Sequence, residues 1–214
     1  MDNPYVQYMY SYPHKTAYGP LSEICLEDYI QRLAGGENSL YFHIPFCQSK
    51  CGYCNLFSVT GQPEDFMSAY VDAMEGQAEQ LRSILPEGAD FSDLTLGGGT
   101  PLLLSEKQLE RVFSIARDRM GFKGKTVIVE TSPAQTTEEK AALLKENGVI
   151  RVSMGVQSFH DEELRALNRR HKVEQVHRAA HILKKSNFHC MNLDLIYGIP
   201  GQTVKSLLDS ADQA

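Results

Sequence analysis

Three cysteines lie close together in the chain, at Cys47, Cys51 and Cys54. Their spacing, C-x3-C-x2-C, suits a loop around one corner of an iron–sulfur cluster, because each sulfur must reach a different iron. Three thiolates on a four-iron cluster leave one iron open, where a small molecule can bind and react. The alternatives are unrelated thiols or a zinc site, which usually takes four protein ligands or three plus water. The chain has no second cysteine pair of the kind typical of zinc sites, so the spacing favours the cluster.

Residues that could bind a ligand or take part in chemistry also follow the other predicted strands. The turn Gly97-Gly98-Gly99-Thr100 lets the backbone approach a ligand closely, although glycines often serve only to bend the chain. Glu130 ends a strand, and on its own it could be an ordinary solvated carboxylate. Gln157 offers a donor and an acceptor together. Arg169, beside Arg170, could hold a carboxylate with two hydrogen bonds or simply lie exposed on the surface.

The elements that must position these residues alternate between strand and helix. Short apolar runs predict five strands, at Leu40–Phe46, Phe91–Leu96, Thr126–Val129, Val149–Met154 and Cys190–Ile196. Amphipathic spacing predicts helices at Glu64–Leu85, Ser105–Arg119, Thr137–Asn147, Asp161–Leu167, Val173–Lys185 and from Thr203 onward. This alternation predicts a parallel sheet with right-handed crossovers, either closed as a barrel or open and doubly wound. Because the polar residues come directly after strands, the carboxyl-terminal face of a barrel suits them better.

The cysteine motif and its flanks resemble a known superfamily. C-x3-C-x2-C with an aromatic residue, Tyr53, just before the last cysteine resembles the signature of the radical S-adenosylmethionine (SAM) superfamily. The segment Tyr41-x-His43-Ile44-Pro45-Phe46-Cys47 is similar to the branch that contains oxygen-independent coproporphyrinogen III oxidase. The resemblance covers residues from about 38 to 214. It implies a [4Fe–4S] cluster on the three cysteines, with SAM on the open iron and reductive cleavage of SAM to a 5′-deoxyadenosyl radical.

The resemblance also implies a set of residues that bind SAM. The glycine-rich turn would meet its amino group, Glu130 its ribose, Arg169 its carboxylate, and Gln157 and Asp194 would contact it as well. An aspartate in an apolar strand, such as Asp194, is costly unless it is paired or hydrogen-bonded. The full predicted cofactor-binding set is Tyr41, Tyr53, Gly97, Gly98, Gly99, Thr100, Glu130, Gln157, Arg169 and Asp194. His43 is interpreted as a structural residue, and Cys25 and Cys190 as ordinary buried thiols.

For the fold, the resemblance implies an α/β partial TIM-type (βα)6 barrel, of which about five βα units are countable here. Residues 1–39 are interpreted as an irregular N-terminal extension containing tyrosines and prolines, and residues 40–214 as the core domain. Since the core of the family uses six units, we expect the chain to be an incomplete version that exposes the edge of its last strand. Such a chain should be poorly soluble and weakly active alone.

Composition limits the remaining choices. The chain has 214 residues and a net charge of −6, which gives no basic footprint for nucleic acid. No apolar run approaches the length of a membrane span, and five cysteines, an odd number, do not form a secreted disulfide framework. The sequence therefore predicts a cytoplasmic protein. Its expected partners are a small-molecule substrate, perhaps a tetrapyrrole, and an electron donor such as flavodoxin or ferredoxin.

Three functions compete at this stage. The first is a radical SAM oxidoreductase that resembles coproporphyrinogen III oxidase. The second is a heme-binding or heme-delivery protein on the same scaffold, and the third is simple electron transfer, which would leave the SAM motifs without a use. One departure from the oxidase pattern matters here, because the oxidase has another cysteine two positions after the third ligand and this chain has Leu56.

Overall fold

The computed structural model describes residues 19–20, 23, 25–35 and 37–214. Most of the predicted N-terminal extension, including all its tyrosines up to Tyr18, lies outside the described residues. The described part of the extension contains helix α1 (Leu26–Ile30) and a 3-10 turn, Gln31–Leu33, so this part is not irregular as predicted. The first strand also begins at Asn38, within the range assigned to the extension. The division of the chain into extension and core stays a prediction.

A five-stranded parallel sheet forms the centre of the described molecule. Its strands are β1 (Asn38–Ile44), β4 (Phe91–Gly98), β5 (Phe122–Thr131), β6 (Arg151–Gln157) and β7 (Cys190–Leu195), in that spatial order. All four pairings are parallel. Chain order and spatial order are the same, so each crossover moves one strand further along the sheet. This is the arrangement of a partial TIM-type barrel, as predicted from the sequence.

A second, very short sheet belongs to the cysteine segment. Strands β2 (Phe46–Cys47) and β3 (Val59–Thr60) pair in parallel and enclose the loop that carries the other two cysteines. The sequence analysis missed this pair and continued the first strand to Phe46, whereas β1 ends at Ile44. Pro45 explains the break, because proline has no backbone N–H to donate to a ladder.

Helices connect the strands of the large sheet, and several of them contribute residues to the hydrophobic core that packs against it. They are α2 (Glu64–Ile84), α3 (Glu106–Ser114), α4 (Glu138–Glu146), α5 (Asp161–Ala166), α6 (Val173–Lys185) and α7 (Val204–Gln213). The predicted helix Ser105–Arg119 is divided, because its last turn, Ile115–Arg119, is a π-helix. Ser105 caps α3 with a capping box that uses Gln108, which agrees with the predicted start of the helix.

Alternation along the strands separates the core from the site. In β6, Val152, Met154 and Val156 are fully buried and belong to the hydrophobic core. The intervening residues on the other face, Ser153, Gly155 and Gln157, line a cavity instead. Successive side chains of a strand point to opposite faces, so one strand can supply both layers. The apolar face packs under the helices and the polar face is left for the interior of the partial barrel.

Candidate cofactor site

A cavity of about 270 Å³ lies at the carboxyl-terminal edge of the large sheet. Its lining includes all three motif cysteines. It also includes most of the predicted SAM-binding residues, namely Tyr53, Gly98, Gly99, Thr100, Glu130, Gln157, Arg169 and Asp194. Parallel strands bring their carboxyl ends to one edge, and this is why residues far apart in sequence meet here. Tyr41 and Gly97 are not among the lining residues.

The cysteine loop is joined to the glycine-rich strand end by backbone hydrogen bonds. Gly99 N donates to Ile44 O at 2.8 Å, and Thr100 N donates to Phe46 O at 2.8 Å. Thr100 Oγ1 lies 3.9 Å from Cys47 Sγ and donates toward it. Burial raises the pKa of the Cys47 thiol, and the nearby Cys51 and Cys54 raise it further. A cation placed among the three sulfurs would favour their thiolate forms.

Close packing explains why glycines occupy the end of β4. A Cβ atom on Gly99 would lie 2.6 Å from Phe46 O and 2.9 Å from Cys47 Sγ. A Cβ atom on Gly97 would lie 2.9 Å from Glu130 Oε2 and 3.0 Å from a ring carbon of Tyr41. The strand end is therefore in direct contact with the cysteine segment on one side and with the Glu130 carboxylate on the other. Gly97 therefore allows Glu130 and Tyr41 to approach the strand closely, although Gly97 itself does not line the cavity.

Glu130 is a cavity-lining carboxylate with a backbone donor. Gly98 N donates to its Oε2 at 3.1 Å. Burial raises the pKa of Glu130, the Gly98 N–H opposes that increase, and the negative charge of Asp194 adds to it. Asp194 is itself exposed and accepts a hydrogen bond from Asn192 Nδ2 at 2.7 Å, so the aspartate in the strand has its expected partner. The two carboxylates give this side of the cavity a negative potential.

Arg169 is one of two arginines that line the cavity. Its Nη1 donates to Cys51 Sγ at 3.2 Å, and its Nη2 donates to Gly155 O. Its Nε is buried and has no hydrogen-bond partner. A buried, unpaired guanidinium N–H is unfavourable unless a ligand satisfies it. The neighbouring Arg170 is exposed and also lines the cavity. Of the two arginines, Arg169 is the one with a buried N–H that lacks a partner.

The two predicted tyrosines lie in different environments. Tyr53 lines the cavity and is 42% exposed, and partial desolvation together with the nearby thiols raises the pKa of its hydroxyl against the opposing charge of Arg169. Tyr41 is 56% exposed, and its hydroxyl is 3.1 Å from His43 Nδ1. The other ring nitrogen of His43 lies 3.0 Å from Phe57 O, at the end of the cysteine loop. His43 thus bridges Tyr41 and Phe57, and Tyr41 contacts the site through it and through Gly97.

Several lining residues were not predicted from the sequence. They are Gln48, Ser49, Leu56, Thr131, Ser132, Ala134, Ser153, Arg170 and His171. Strand alternation could have identified Ser153, because it shares a face with Gly155 and Gln157. His171 is buried with its Nε2 3.3 Å from Val156 O, and burial lowers its pKa to about 4. No sequence pattern marks it as a residue of the site.

Two thiols outside the motif are not where the sequence analysis placed them. Cys25 is exposed and Cys190 is partly buried, so the prediction that both are buried is wrong. Within the described ranges, no three His, Cys, Asp or Glu side chains are grouped as ligands of a single metal ion. No helix among the described residues is long and apolar enough to cross a membrane.

Fold and site together define an α/β partial barrel with a cysteine-lined cofactor cavity. Comparison with known proteins gives the family, since the model described as the radical SAM superfamily matches residues 41–214. The heme chaperone HemW of Bacillus subtilis is 38% identical over 186 residues, which cover 82% of this chain and 46% of the relative. The oxygen-independent coproporphyrinogen III oxidase of Escherichia coli is 32% identical over 209 residues, covering 94% of this chain and 45% of the oxidase.

A solved structure agrees with these relatives. The coproporphyrinogen III oxidase (HemN) from Escherichia coli, described as a radical SAM enzyme, superposes with a TM-score of 0.81 at 29% identity. The match covers 96% of this chain and 48% of that one, and the chain spans about half the length of the curated relatives it matches. The chain belongs to the radical SAM superfamily. The two predicted cofactors, a [4Fe–4S] cluster and SAM, are the cofactors of this family.

Proposed function

We propose that this chain carries the cofactor site of a radical SAM protein that cleaves SAM reductively. One observation supports this most strongly. The three motif cysteines share a single cavity with the glycine-rich strand end, a carboxylate that accepts a backbone hydrogen bond and an arginine that has an unpaired buried N–H. A simple electron-transfer protein needs the cysteines but has no use for the other groups. The cavity is therefore suited to a charged organic ligand beside a cluster.

The residues present fit both cofactors. Cys47, Cys51 and Cys54 would hold the cluster, and they lie on a loop that the sheet anchors at its two ends. Arg169 would bind the SAM carboxylate, because its Nε needs a partner and a guanidinium pairs well with a carboxylate. When bound, the cluster and SAM together supply a 5′-deoxyadenosyl radical. The protein would orient the two groups and exclude water from them.

The negative side of the cavity complements the remaining groups of SAM. Glu130 would accept hydrogen bonds from the ribose hydroxyls, and Asp194 adds negative charge opposite the sulfonium cation. Gln157 has a φ of 74°, an uncommon conformation for a residue other than glycine, at the end of β6. Strained conformations of this kind are frequent where a side chain is directed into a functional site. Gln157 would therefore contact SAM, as the resemblance implies.

The substrate and the electron donor are proposed from the relatives. One relative is named a heme chaperone and the other a coproporphyrinogen III oxidase, and because heme and coproporphyrinogen are both tetrapyrroles, a tetrapyrrole is the proposed substrate class. The proposed reaction is an oxidation of the coproporphyrinogen III oxidase kind, with flavodoxin or ferredoxin as the reductant. A cytoplasmic location is proposed on the same basis.

A heme chaperone is the second candidate. It is favoured by the identity to HemW and by Leu56, which stands where the oxidase has a further cysteine and is 43% exposed at the cavity. A chaperone of this kind would bind heme and would not oxidise a porphyrinogen. The two candidates share the cofactor site described above. They differ in whether the protein oxidises a porphyrinogen or binds heme.

Two assays separate these functions. Anaerobically reconstituted protein with dithionite and SAM should form 5′-deoxyadenosine, measured by liquid chromatography, and Cys51→Ala should abolish its formation. Porphyrinogen oxidation coupled to that product would support the oxidase. Stoichiometric heme binding in a visible titration, without porphyrinogen turnover, would support the chaperone. The absence of 5′-deoxyadenosine from protein that holds an intact cluster would contradict reductive cleavage of SAM.

A further inference from the structure

The cysteine loop, residues 47–54, is held differently at its ends and in its middle. The segments on either side of the loop are fixed by the sheets, since Gly99 N donates to Ile44 O and Val59 N donates to Pro45 O, both at 2.8 Å. The middle, residues 50–52, is distant from both anchors along the chain. Two of the three predicted cluster ligands, Cys51 and Cys54, lie in or just after this middle part. Their placement therefore depends on whatever else contacts the loop.

The contacts come from the turn that follows α5. Leu167 O accepts a hydrogen bond from Gly52 N at 3.0 Å. Asn168 Nδ2 donates to Lys50 O at 2.9 Å, and Arg169 Nη1 donates to Cys51 Sγ at 3.2 Å. Three consecutive residues of the turn thus contact three consecutive residues of the loop. In each of the two side-chain contacts, the paired residues are 118 positions apart in the sequence.

Helix-capping geometry explains how this turn is built. Asn168 N donates to Arg165 O and Arg169 N donates to Leu164 O, which are the two hydrogen bonds of a Schellman motif at the end of α5. Asn168 has a φ of 56°, at the position where glycine is most common. Glycine would adopt this conformation with less strain. Asparagine adds a side-chain amide, and that amide is the group that reaches Lys50 O.

We propose that the turn Leu167–Arg169 is a clamp that positions the cysteine loop for cluster binding, with Asn168 as its positioning residue. The inference rests on the proposed function, because the loop is taken to hold the cluster. The clamp also connects the predicted cluster ligands with a predicted SAM-binding residue. Arg169, the proposed partner of the SAM carboxylate, is the next residue after Asn168 and lies on the same rigid turn.

The test uses two substitutions at Asn168 and a matched control. Asn168→Gly keeps the left-handed backbone and removes the amide, and Asn168→Asp keeps the shape and removes the N–H donor. Asn187, which also has a positive φ of 52° and follows α6, supplies the control Asn187→Gly. Each protein is reconstituted anaerobically, and the loss of cluster absorbance to an iron chelator is followed with time. Unfolding of the metal-free proteins and the electron paramagnetic resonance (EPR) spectrum of the reduced cluster are measured in parallel.

Both Asn168 variants should lose the cluster about threefold to tenfold faster than wild type, as expected for one hydrogen bond that supports a ligand loop. Their EPR signals should broaden, while Asn187→Gly should match wild type in both measurements. The unfolding midpoint of metal-free Asn168→Gly should not fall, since glycine suits this conformation. An Asn168→Gly protein that retains its cluster as long as wild type would contradict the proposed clamp. The side-chain amide of Asn168 would then not matter for the cluster, and only its backbone conformation would. A wild-type chain that binds no cluster at all would overturn the proposed function, and this inference with it.

Discussion

At the scale of single residues, the site holds a carboxylate that the folded protein does not favour in its ionised form. Burial raises the pKa of Glu130, and the charge of Asp194 raises it further against the opposing Gly98 N–H. An acid whose pKa is higher in the folded than in the unfolded state contributes stability at low pH, and that contribution is lost as pH rises through the folded pKa. At neutral pH the ionised Glu130 therefore costs stability, and ligand binding can offset this cost.

Glu130→Gln should separate stability from binding. We expect the metal-free variant to be more stable than wild type at pH 7, with an advantage that shrinks as pH falls through the raised pKa of Glu130. Affinity for SAM should fall about tenfold or more, because a hydrogen bond to a charged acceptor is lost. Urea unfolding between pH 5 and 8 and calorimetric SAM titration measure the two effects.

Glu146→Gln, at an exposed position near the end of α4, is the control and should change neither. A Glu130→Gln protein that is less stable at pH 7 would contradict this account.

Glu163 presents the opposite case outside the cavity. It is 5% exposed and accepts hydrogen bonds from Ser158 Oγ at 2.6 Å, Ser206 Oγ at 2.5 Å and Gln202 Nε2 at 2.9 Å. Burial alone would raise the pKa of Glu163, but these hydrogen bonds together hold it below its usual value. The carboxylate thereby connects α5 with the residue after β6, with the segment that follows β7 and with α7.

Replacing Glu163 by Gln should destabilise the chain by about 1–3 kcal/mol at pH 7, because the new amide group presents donors to a site that holds three donors. A lowered folded pKa gives stability that is present at neutral pH and is lost as pH falls below the ordinary glutamate value of about 4.3. The difference between wild type and variant should therefore shrink in acid. Denaturant unfolding at pH 7 and pH 4 measures it. The adjacent Glu162→Gln, whose side chain is 91% exposed, should change neither value. An equal loss from both substitutions would contradict the network.

At the scale of elements, the end of β4 and the cysteine segment depend on one close approach. Gly99→Ala would place a Cβ atom 2.6 Å from a backbone oxygen, Phe46 O, which cannot move without shifting β2. We expect a loss of about 1–3 kcal/mol in unfolding free energy and a lower cluster content.

Gly76→Ala, in the middle of α2 with nothing within 4 Å of its Cβ, should instead stabilise the chain by about 0.5–1 kcal/mol. Thermal unfolding and iron analysis of both proteins test this, and an unaffected Gly99→Ala would contradict the tight contact.

Sequence patterns predicted most of the elements because apolar periodicity follows directly from which face is buried. The five strands of the large sheet and helices α2 to α7 were all expected, with boundaries that differ by a few residues. The pair β2–β3 was missed because two-residue strands are too short to show a period. The π-turn Ile115–Arg119 was also missed, since its residues follow the same apolar pattern as the α-helix before it.

The site was predicted less completely than the fold. Cys47 could be proposed as a ligand from the cysteine spacing, whereas Glu130 was proposed only because it matches a position of the family that the sequence resembles. Contacts between distant segments could not be predicted, and the bonds from Leu167, Asn168 and Arg169 to the cysteine loop depend on how α5 ends against a loop far away in sequence. Tyr41 shows the same limit, because its motif position gave no indication that it reaches the site through His43 and Gly97.

At the scale of the whole molecule, the described sheet has two edge strands, β1 and β7. Helix α7, next to β7 in sequence, leaves Val204 76% exposed and Leu208 59% exposed. These residues are four positions apart and lie on one face of the helix. Exposed apolar faces beside open sheet edges favour self-association. The expected low solubility of the chain stays a prediction, and this surface is where it can be tested.

The double substitution Val204→Lys and Leu208→Lys should lower self-association of the chain without lowering its unfolding midpoint, because neither side chain is buried. Sedimentation velocity over a range of concentrations measures the association. Lys205→Glu with Asp212→Lys, on the same helix, keeps the net charge and both apolar residues and should associate as wild type does. Self-association that the double lysine variant leaves unchanged would show that another surface is responsible.

The central claim is that SAM binds directly at a cluster held by Cys47, Cys51 and Cys54. The most direct measurement is the EPR spectrum of the reconstituted, dithionite-reduced protein, recorded before and after SAM is added. The account predicts a reduced [4Fe–4S] signal whose g values move on addition of SAM, and the loss of this signal when any one of the three cysteines is replaced by alanine. A cluster signal that SAM leaves unchanged, or a colourless protein that holds zinc on the same sulfurs, would contradict it.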